Sequence, residues 1–233
     1  LSCGAPFESV TGIVDCARTT ADIHNLWGHV MVNGGVMASR WWISGNLFNV
    51  DPDFLIVRTQ ETSDDPMRNR EYTPVPFNGK DWWLAGRELN IEEAKAYALS
   101  IYMNGGDILL GDAIGKLNQT GIDILKNVFE APTITRSAVP VDLFDSHSGQ
   151  ASILIAYEDW GTAVCVTNWS EDIEAVSIVP EQLDIEFEDV ADFWTLELEG
   201  HREAYDLELM PRTAKCLLFM NKINLELQEG VTK

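Results

Sequence analysis

Ser2-Cys3-Gly4-Ala5-Pro6, running on to Gly12-Ile13-Val14-Asp15-Cys16-Ala17-Arg18-Thr19-Thr20-Ala21-Asp22, carries the densest chemical pattern in the chain. A small-residue turn follows what reads as the end of a strand. An apolar triplet comes next, then an arginine four residues ahead of an aspartate. An arginine so close to a carboxylate can orient it and tune its acidity. Turn, arginine and carboxylate together just past a strand end are how an α/β barrel displays catalytic groups. The plainer alternative makes Asp22 the cap of the next helix and Arg18 its surface partner.

The rest of the composition bounds what this stretch can serve. A chain of 233 residues with 45% hydrophobic content can build a real core, as one large domain or two small ones. Its formal charge of −21, from 37 acidic against 16 basic residues, disfavours a phosphate backbone or an anionic membrane surface as partner. No apolar run approaches the ~20 residues of a membrane span. Cys3, Cys16, Cys165 and Cys216 show no CxxC and no metal spacing, so buried free thiols are expected. His24 and His29 lie five apart with no carboxylate placed to complete a zinc pair. No metal and no cofactor is expected.

Along the chain, residues 1–3 read as the tail of a strand, since the sequence opens without Met and without a capping signal, and residues 5–22 as a long loop. Val36, Met37, Arg40 and Trp41 fall near helical spacing, predicting a helix over 34–44 that ends at Ser44-Gly45-Asn46. The Trp41-Trp42 pair is expected in the core. Residues 54–57 form a continuous apolar run, the mark of a strand buried on both faces. Residues 59–88 are too irregular for an element, and Trp82-Trp83 would pin that loop. A helix is expected over 91–103, with Asn90 as cap and Glu92-Glu93 in its first turn. A strand over 107–110 and a helix over 120–129 complete an α/β alternation. From Ala131-Pro132 the texture changes to alternating segments at 151–158, 161–168, 175–179, 191–194, 205–209 and 214–220. No internal repeat is visible. These segments predict an antiparallel all-β module, a small sandwich, with a helical or frayed tail beyond Asn221.

The opening stretch resembles the acid/base segment of the melibiase-type α-galactosidases, glycoside hydrolase family 36, which are related to family 27. The matching positions are Cys3, Gly4, Pro6, Gly12, Val14, Asp15, Arg18, Asp22 and Trp27-Gly28. A second match is Asp51-Pro52-Asp53 with the apolar run after it. A third runs from Leu89-Asn90-Ile91-Glu92-Glu93-Ala94 to Gly105-Gly106-Asp107 and Gly111-Asp112. The resemblance implies an α/β then all-β chain: the C-terminal part of a (β/α)8 TIM barrel, about strands six to eight, over 1–133, then a β-sandwich domain over 138–222 and a tail over 223–233.

The resemblance also implies roles. Asp22 would be the acid/base of a retaining hydrolase, needing partial burial to hold its proton. Arg18 would contact the sugar hydroxyl beside the reacting carbon, or form a structural ion pair with Asp53, or both. Asp53 would lie at the floor of the sugar pocket, Cys3 and Gly4 on its wall, and Trp27 either over its edge or in packing. The nucleophile belongs to a Lys-x-Asp strand that would precede Leu1. The expected partners are an oligosaccharide or α-galactoside substrate and the remainder of the same polypeptide. A homo-oligomer, and a cytoplasmic or a secreted location, all stay open. So do α-N-acetylgalactosaminidase activity, galactosyl transfer, and a non-catalytic carbohydrate-binding or structural role.

Overall fold

The computed structural model describes residues 7–64, 87–145 and 150–221. The expected strand at 1–3, Cys3 and Gly4, Trp82-Trp83 and the tail lie outside these residues. After a short 3-10 turn, Phe7–Val10, comes β1, Cys16–Arg18. Helix α1 is Trp27–Arg40 and strand β2 is Asn49–Asp51. β1 and β2 pair in parallel, with Cys16 opposite Asn49, Ala17 opposite Val50 and Arg18 opposite Asp51. Among the described residues this parallel layer is an open pair plus one bridge, Leu55 to Leu110, and no barrel closes.

The Trp41-Trp42 pair, expected in the core, is half-buried at Trp41 and 44% exposed at Trp42, and three further expectations need correction here. The strand beside Arg18 lies inside what was read as loop, over residues 16–18. The second strand stops at Asp51, ahead of the apolar run. Pro52 offers no N–H to a ladder, and Asp53 takes a positive φ of 72°, so the chain leaves the sheet at once. Leu55, Ile56 and Val57 are still buried, without strand pairing beyond the single bridge. At 107–110, likewise, only that bridge at Leu110 is made. The third correction is α1, which starts seven residues before the expected Gly34 and ends at Arg40. Its buried stripe, Trp27, Val30, Gly34 and Met37, keeps helical spacing. Gly34 looks like a breaker in sequence but serves packing: a Cβ there would sit 2.5 Å from the Trp169 indole.

Helix α2, Ile91–Asn104, begins with a capping box: the Asn90 side chain accepts from the Glu93 N–H, and Glu93 accepts from the Asn90 N–H. It ends at Gly105, whose φ of 64° suits glycine. Eleven of its residues are buried, so it is a central helix rather than a surface one. Helix α3, Gln119–Glu130, is capped by Asn118 and buries only Gly121, Ile124, Leu125 and Val128.

The chain then runs through β3 (Val139–Pro140), β4 (Ile153–Glu158), β5 (Gly161–Thr167), β6 (Glu174–Ile178), β7 (Asp189–Asp192), β8 (Tyr205–Leu209) and β9 (Ala214–Met220). One antiparallel sheet has the order β3-β4-β5-β9-β7, and β6 pairs with β8 as a separate ribbon. Period-two alternation gives the sheet two apolar faces. Val164, Val166, Leu217 and Phe219 pack with Ile178, Tyr205, Leu207 and Leu209 of the ribbon. Ala163, Cys165, Cys216 and Leu218 share a cluster with Tyr97, Leu99, Ile101 and Met103 of α2. The sheet is thus a sandwich on one side and a helix-covered layer on the other, which is why all seven residues of β5 are buried. Hydrogen bonds reinforce the second face: Tyr102 donates to the Pro132 carbonyl at 2.6 Å and Asn127 to that of Trp194 at 2.9 Å. Cys165 and Cys216 are buried free thiols, and Cys16 is a half-buried one.

Candidate functional site

The site grows from the end of the parallel pair. Arg18 closes β1, and Thr19 continues the ladder by one bond, its N–H donating to the Asp51 carbonyl at 3.1 Å. Arg40, from the last turn of α1, donates to the Thr19 carbonyl. Asn33 donates to the Ala21 carbonyl at 3.0 Å, and Asn25 to that of Arg58 at 2.8 Å. Residues 19–25 are therefore a loop tied down at four points, three through its backbone and one through the Asn25 side chain, and Asp22 sits at its apex. Helix α1 has Leu26 as its N-cap with no side-chain bond, so Asp22 does not cap it.

Asp53 faces this loop from the chain after β2. Its own N–H donates to Asp51 Oδ1 at 2.8 Å, an Asx-type turn that supports the positive φ. Both of its carboxylate oxygens are engaged: Oδ1 accepts from Arg18 Nη1 at 3.0 Å, and Oδ2 from the Ile23 N–H at 2.7 Å. The second amino group of Arg18, Nη2, pairs with Asp22 Oδ1. The Arg18 and Asp53 side chains are 9% and 6% exposed, whereas that of Asp22 is 70% exposed. Desolvation alone would pull the Arg18 pKa down. The bonds to Asp22 and Asp53 and their charges outweigh it and leave the guanidinium above its ordinary value. Arg18 is a permanent cation held between a locked carboxylate and an accessible one. The partial burial expected of Asp22 is not supplied by the described residues.

Two histidines flank Asp22. The Nδ1 atom of His29 lies 3.2 Å from the Asp22 carbonyl oxygen, and because a carbonyl only accepts, Nδ1 carries the proton. The rings of His24 and His29 meet edge-on at 4.7 Å. Trp27, a candidate either for a pocket edge or for packing, is 6% exposed and packs against Trp169 with ring centres 5.7 Å apart. The structure places it in the core. Among the described residues, no group of three His, Cys, Asp or Glu side chains is placed to hold a metal ion.

Sequence reasoning missed the supports beneath the site. Asp112 accepts from the N–H groups of Val57 and Arg58 at 2.6 and 3.0 Å and from the Arg58 guanidinium at 3.4 Å. It holds the apolar run in place without strand pairing. Tyr97, from α2, donates to the Phe54 carbonyl at 2.9 Å. Burial, and secondarily Asp53 and Asp51, push that phenol far up, so it stays a donor. Gly111-Asp112 was visible as a motif, but its role as a backbone acceptor had no local signal.

No protein-family profile matches the chain, and no curated protein matches it in sequence. Solved structures match it in fold. α-Galactosidase I from Mortierella vinacea superposes with a TM-score of 0.65 at 12% identity, over 94% of this chain and 58% of that one. A variant of a family-27 β-L-arabinopyranosidase from Geobacillus stearothermophilus, in complex with arabinose, gives 0.63 at 13% identity, over 89% and 45%. A candidate α-galactosidase/melibiase from Bacteroides fragilis gives 0.65 at 15% identity, over 88% and 42%. The fold is similar to part of each of these structures. The chain spans between 42% and 58% of the length of these three structures. At such identities the likeness is one of fold.

Proposed function

We propose that this chain is the acid/base-bearing part of a retaining, exo-acting α-galactosidase-like glycoside hydrolase. The observation that carries the reading is the Arg18 guanidinium joined to both Asp22 and Asp53 at the end of the parallel pair. Retaining hydrolysis uses two carboxyl groups roughly 5–5.5 Å apart, one as nucleophile and one as acid and then base. Asp53 is occupied at both oxygens and is not free for either task. Asp22 is fixed at its backbone and oriented by Arg18, which suits a group that takes a proton from water; holding the proton for the leaving oxygen calls for burial that the rest of the site would supply. Arg18 keeps donor capacity for the hydroxyl beside the reacting carbon. The reading assigns the nucleophile to chain beyond the described residues. It keeps Cys3 and Gly4 as pocket wall, and gives Asp53 the task of seating Arg18 at the pocket floor. Units over 1–133 and 138–222, sharing the core around α2, belong to the same proposal.

Kinetics of the intact protein test it. Aryl α-galactosides and aryl β-L-arabinopyranosides, which share the ring hydroxyl configuration, should be hydrolysed, with the first preferred, and Arg18→Lys should raise KM and lower kcat together. Turnover of neither sugar would end the proposal. The exposure of Asp22 favours one competing reading, a sugar-binding segment without catalysis. In that case sugar would bind, Asp22→Asn would bind it equally, and no bond would be cleaved.

A further inference from the structure

At the other end of β2 from Asp53 lies a cavity of about 170 Å³, lined by Trp41, Ser44, Asn46, Arg136 and Glu158 among others. It is bounded by the 3-10 turn Trp41–Ile43 after α1, the strap of residues 135–139 and strand β4. Three features mark it as built. The strap is bonded to the end of α2, with Ser137 donating to the Asn104 carbonyl at 2.6 Å and the Ala138 N–H to that of Met103 at 2.8 Å. Glu158 is fixed to the strap by the Thr135 N–H at 2.7 Å and the Thr135 hydroxyl at 2.9 Å. The Arg136 stem lies across Gly45, where a Cβ would come within 2.8 Å of Nε.

Arg136 itself, an exposed side chain, has no ion pair or hydrogen bond among the described residues. Among the described residues Arg18, Arg58, Arg87, Arg202 and Arg212 all sit in ion pairs and Arg40 on a carbonyl, while Arg136 has neither. In a chain of charge −21 carboxylates are plentiful. One lines this same cavity, yet Glu158 and Arg136 form no ion pair.

An exposed guanidinium whose stem is packed and a carboxylate bonded to the strap line one small space and select their ligand by chemistry. An anion meets Glu158 and a cation meets Arg136, so neither is favoured. A hydroxyl both accepts and donates, and neighbouring hydroxyls on a ring can accept from Arg136 and donate to the remaining capacity of Glu158. Trp41, half-buried at the wall, offers an apolar surface for the C–H face of such a ring. The volume is below the ~300–1,000 Å³ of sites for drug-sized ligands, which limits the occupant to a single ring. We propose that this cavity binds one neutral polyhydroxylated ring, a monosaccharide unit, at a site separate from Asp22.

Nitrogen-resolved NMR of the full chain with methyl α-D-galactopyranoside tests this, independently of the reading given to Asp22. The Trp41 indole N–H and the Arg136 Nε–H should shift saturably with millimolar affinity. Arg136→Met and Glu158→Gln should each weaken this binding about tenfold or more, while Asp22→Asn leaves it unchanged. Both substituted side chains are peripheral, and unchanged backbone spectra will show that the variants fold. No saturable shift at Trp41, or shifts that survive Arg136→Met, would overturn the assignment. Equal affinity for glycerol would overturn the ring.

Discussion

Arg18 donates to Asp53 at 3.0 Å through one amino group and reaches Asp22 through the other, so one guanidinium couples a carboxylate that is 6% exposed to one that is 70% exposed. The asymmetry divides labour. Asp53 works on the protein, aligning Arg18 and the Ile23 N–H. Asp22 faces outward.

Removing the Asp53 charge should therefore cost stability as well as activity. Asn tolerates the positive φ at this position and keeps one acceptor. Asp53→Asn should lose about 1.5–3 kcal/mol, the range for a hydrogen bond to a charged group. Asp53→Leu adds backbone strain and leaves Arg18 and the Ile23 N–H without an acceptor there, so it should lose more. Urea denaturation measures both. Equal midpoints for wild type and Asp53→Asn would mean the ion pair holds nothing in place.

Stability should also depend on His24 in a defined pH window. Burial, and then the neighbouring His29, hold its pKa below the ordinary 6.5, with Asp22 and Asp53 pulling more weakly the other way. The unfolded chain then takes the proton more readily than the folded one. Stability from this group is intact above 6.5 and falls as pH drops through the window beneath it. Urea midpoints should fall between about pH 7 and pH 5, and His24→Gln should make that fall shallower. Identical slopes for the two proteins would show that His24 does not contribute.

A third test concerns an anchor far from Asp22. Glu93, buried in α2, accepts from Arg87 through both oxygens at 2.7 Å, from Arg212 at 3.1 Å and from the Asn90 N–H at 3.0 Å. Arg212 also pairs with Glu171, so the network ties the start of α2 to the turn before β9. Glu93→Gln removes the one buried charge that two arginines share and weakens the capping box. It should destabilise by on the order of 2–4 kcal/mol, reduced from the full buried-pair penalty because Arg87 can turn into water. Arg202→Ala, at an exposed pair, should stay within about 1 kcal/mol. Similar losses for the two variants would contradict the burial argument.

How legible each part was follows from where its signal resides. Helix α2 was readable because its cap, Asn90 with Glu92-Glu93 behind it, is local, whereas the Asn118 cap of α3 came only with the structure. Strands β6 and β8 were readable because one face packs and the other is open, which leaves period two, and β5 and β9 because packing on both faces leaves an apolar run. Helix α1 was misplaced because Leu26 gives no capping signal and Gly34 yields to Trp169, 135 positions further along, a contact that leaves no trace nearby. Strands β1 and β2, three residues each, are too short for a period to emerge. The Arg18–Asp53 pair could be anticipated from the two motifs. The Glu93–Arg212 pair spans 119 positions and could not. For Trp27 both a pocket edge and packing stayed open, because an exposed and a buried indole read the same in sequence, and its 6% exposure is that of packing.

The decisive experiment is Asp22→Asn in the intact protein. The change is isosteric at an exposed side chain, and the asparagine carbonyl can still accept from Arg18, so the fold should be kept. Loss of the acid should slow bond cleavage most for natural sugars, whose leaving groups need a proton. An activated aryl leaving group departs without one, so its first step should survive better. Loss of the base should then slow attack by water, and the glycosyl-enzyme should accumulate. Azide, a small anion needing no base, should restore turnover and give a galactosyl azide of retained α configuration. General acid–base help is worth ~10²–10⁴-fold, and the defect on natural α-galactosides should be of that order. Near-wild-type activity on those sugars would remove Asp22 from the chemistry. An azide product of inverted configuration would mean direct displacement without a glycosyl-enzyme, and would end the acid/base role given to Asp22.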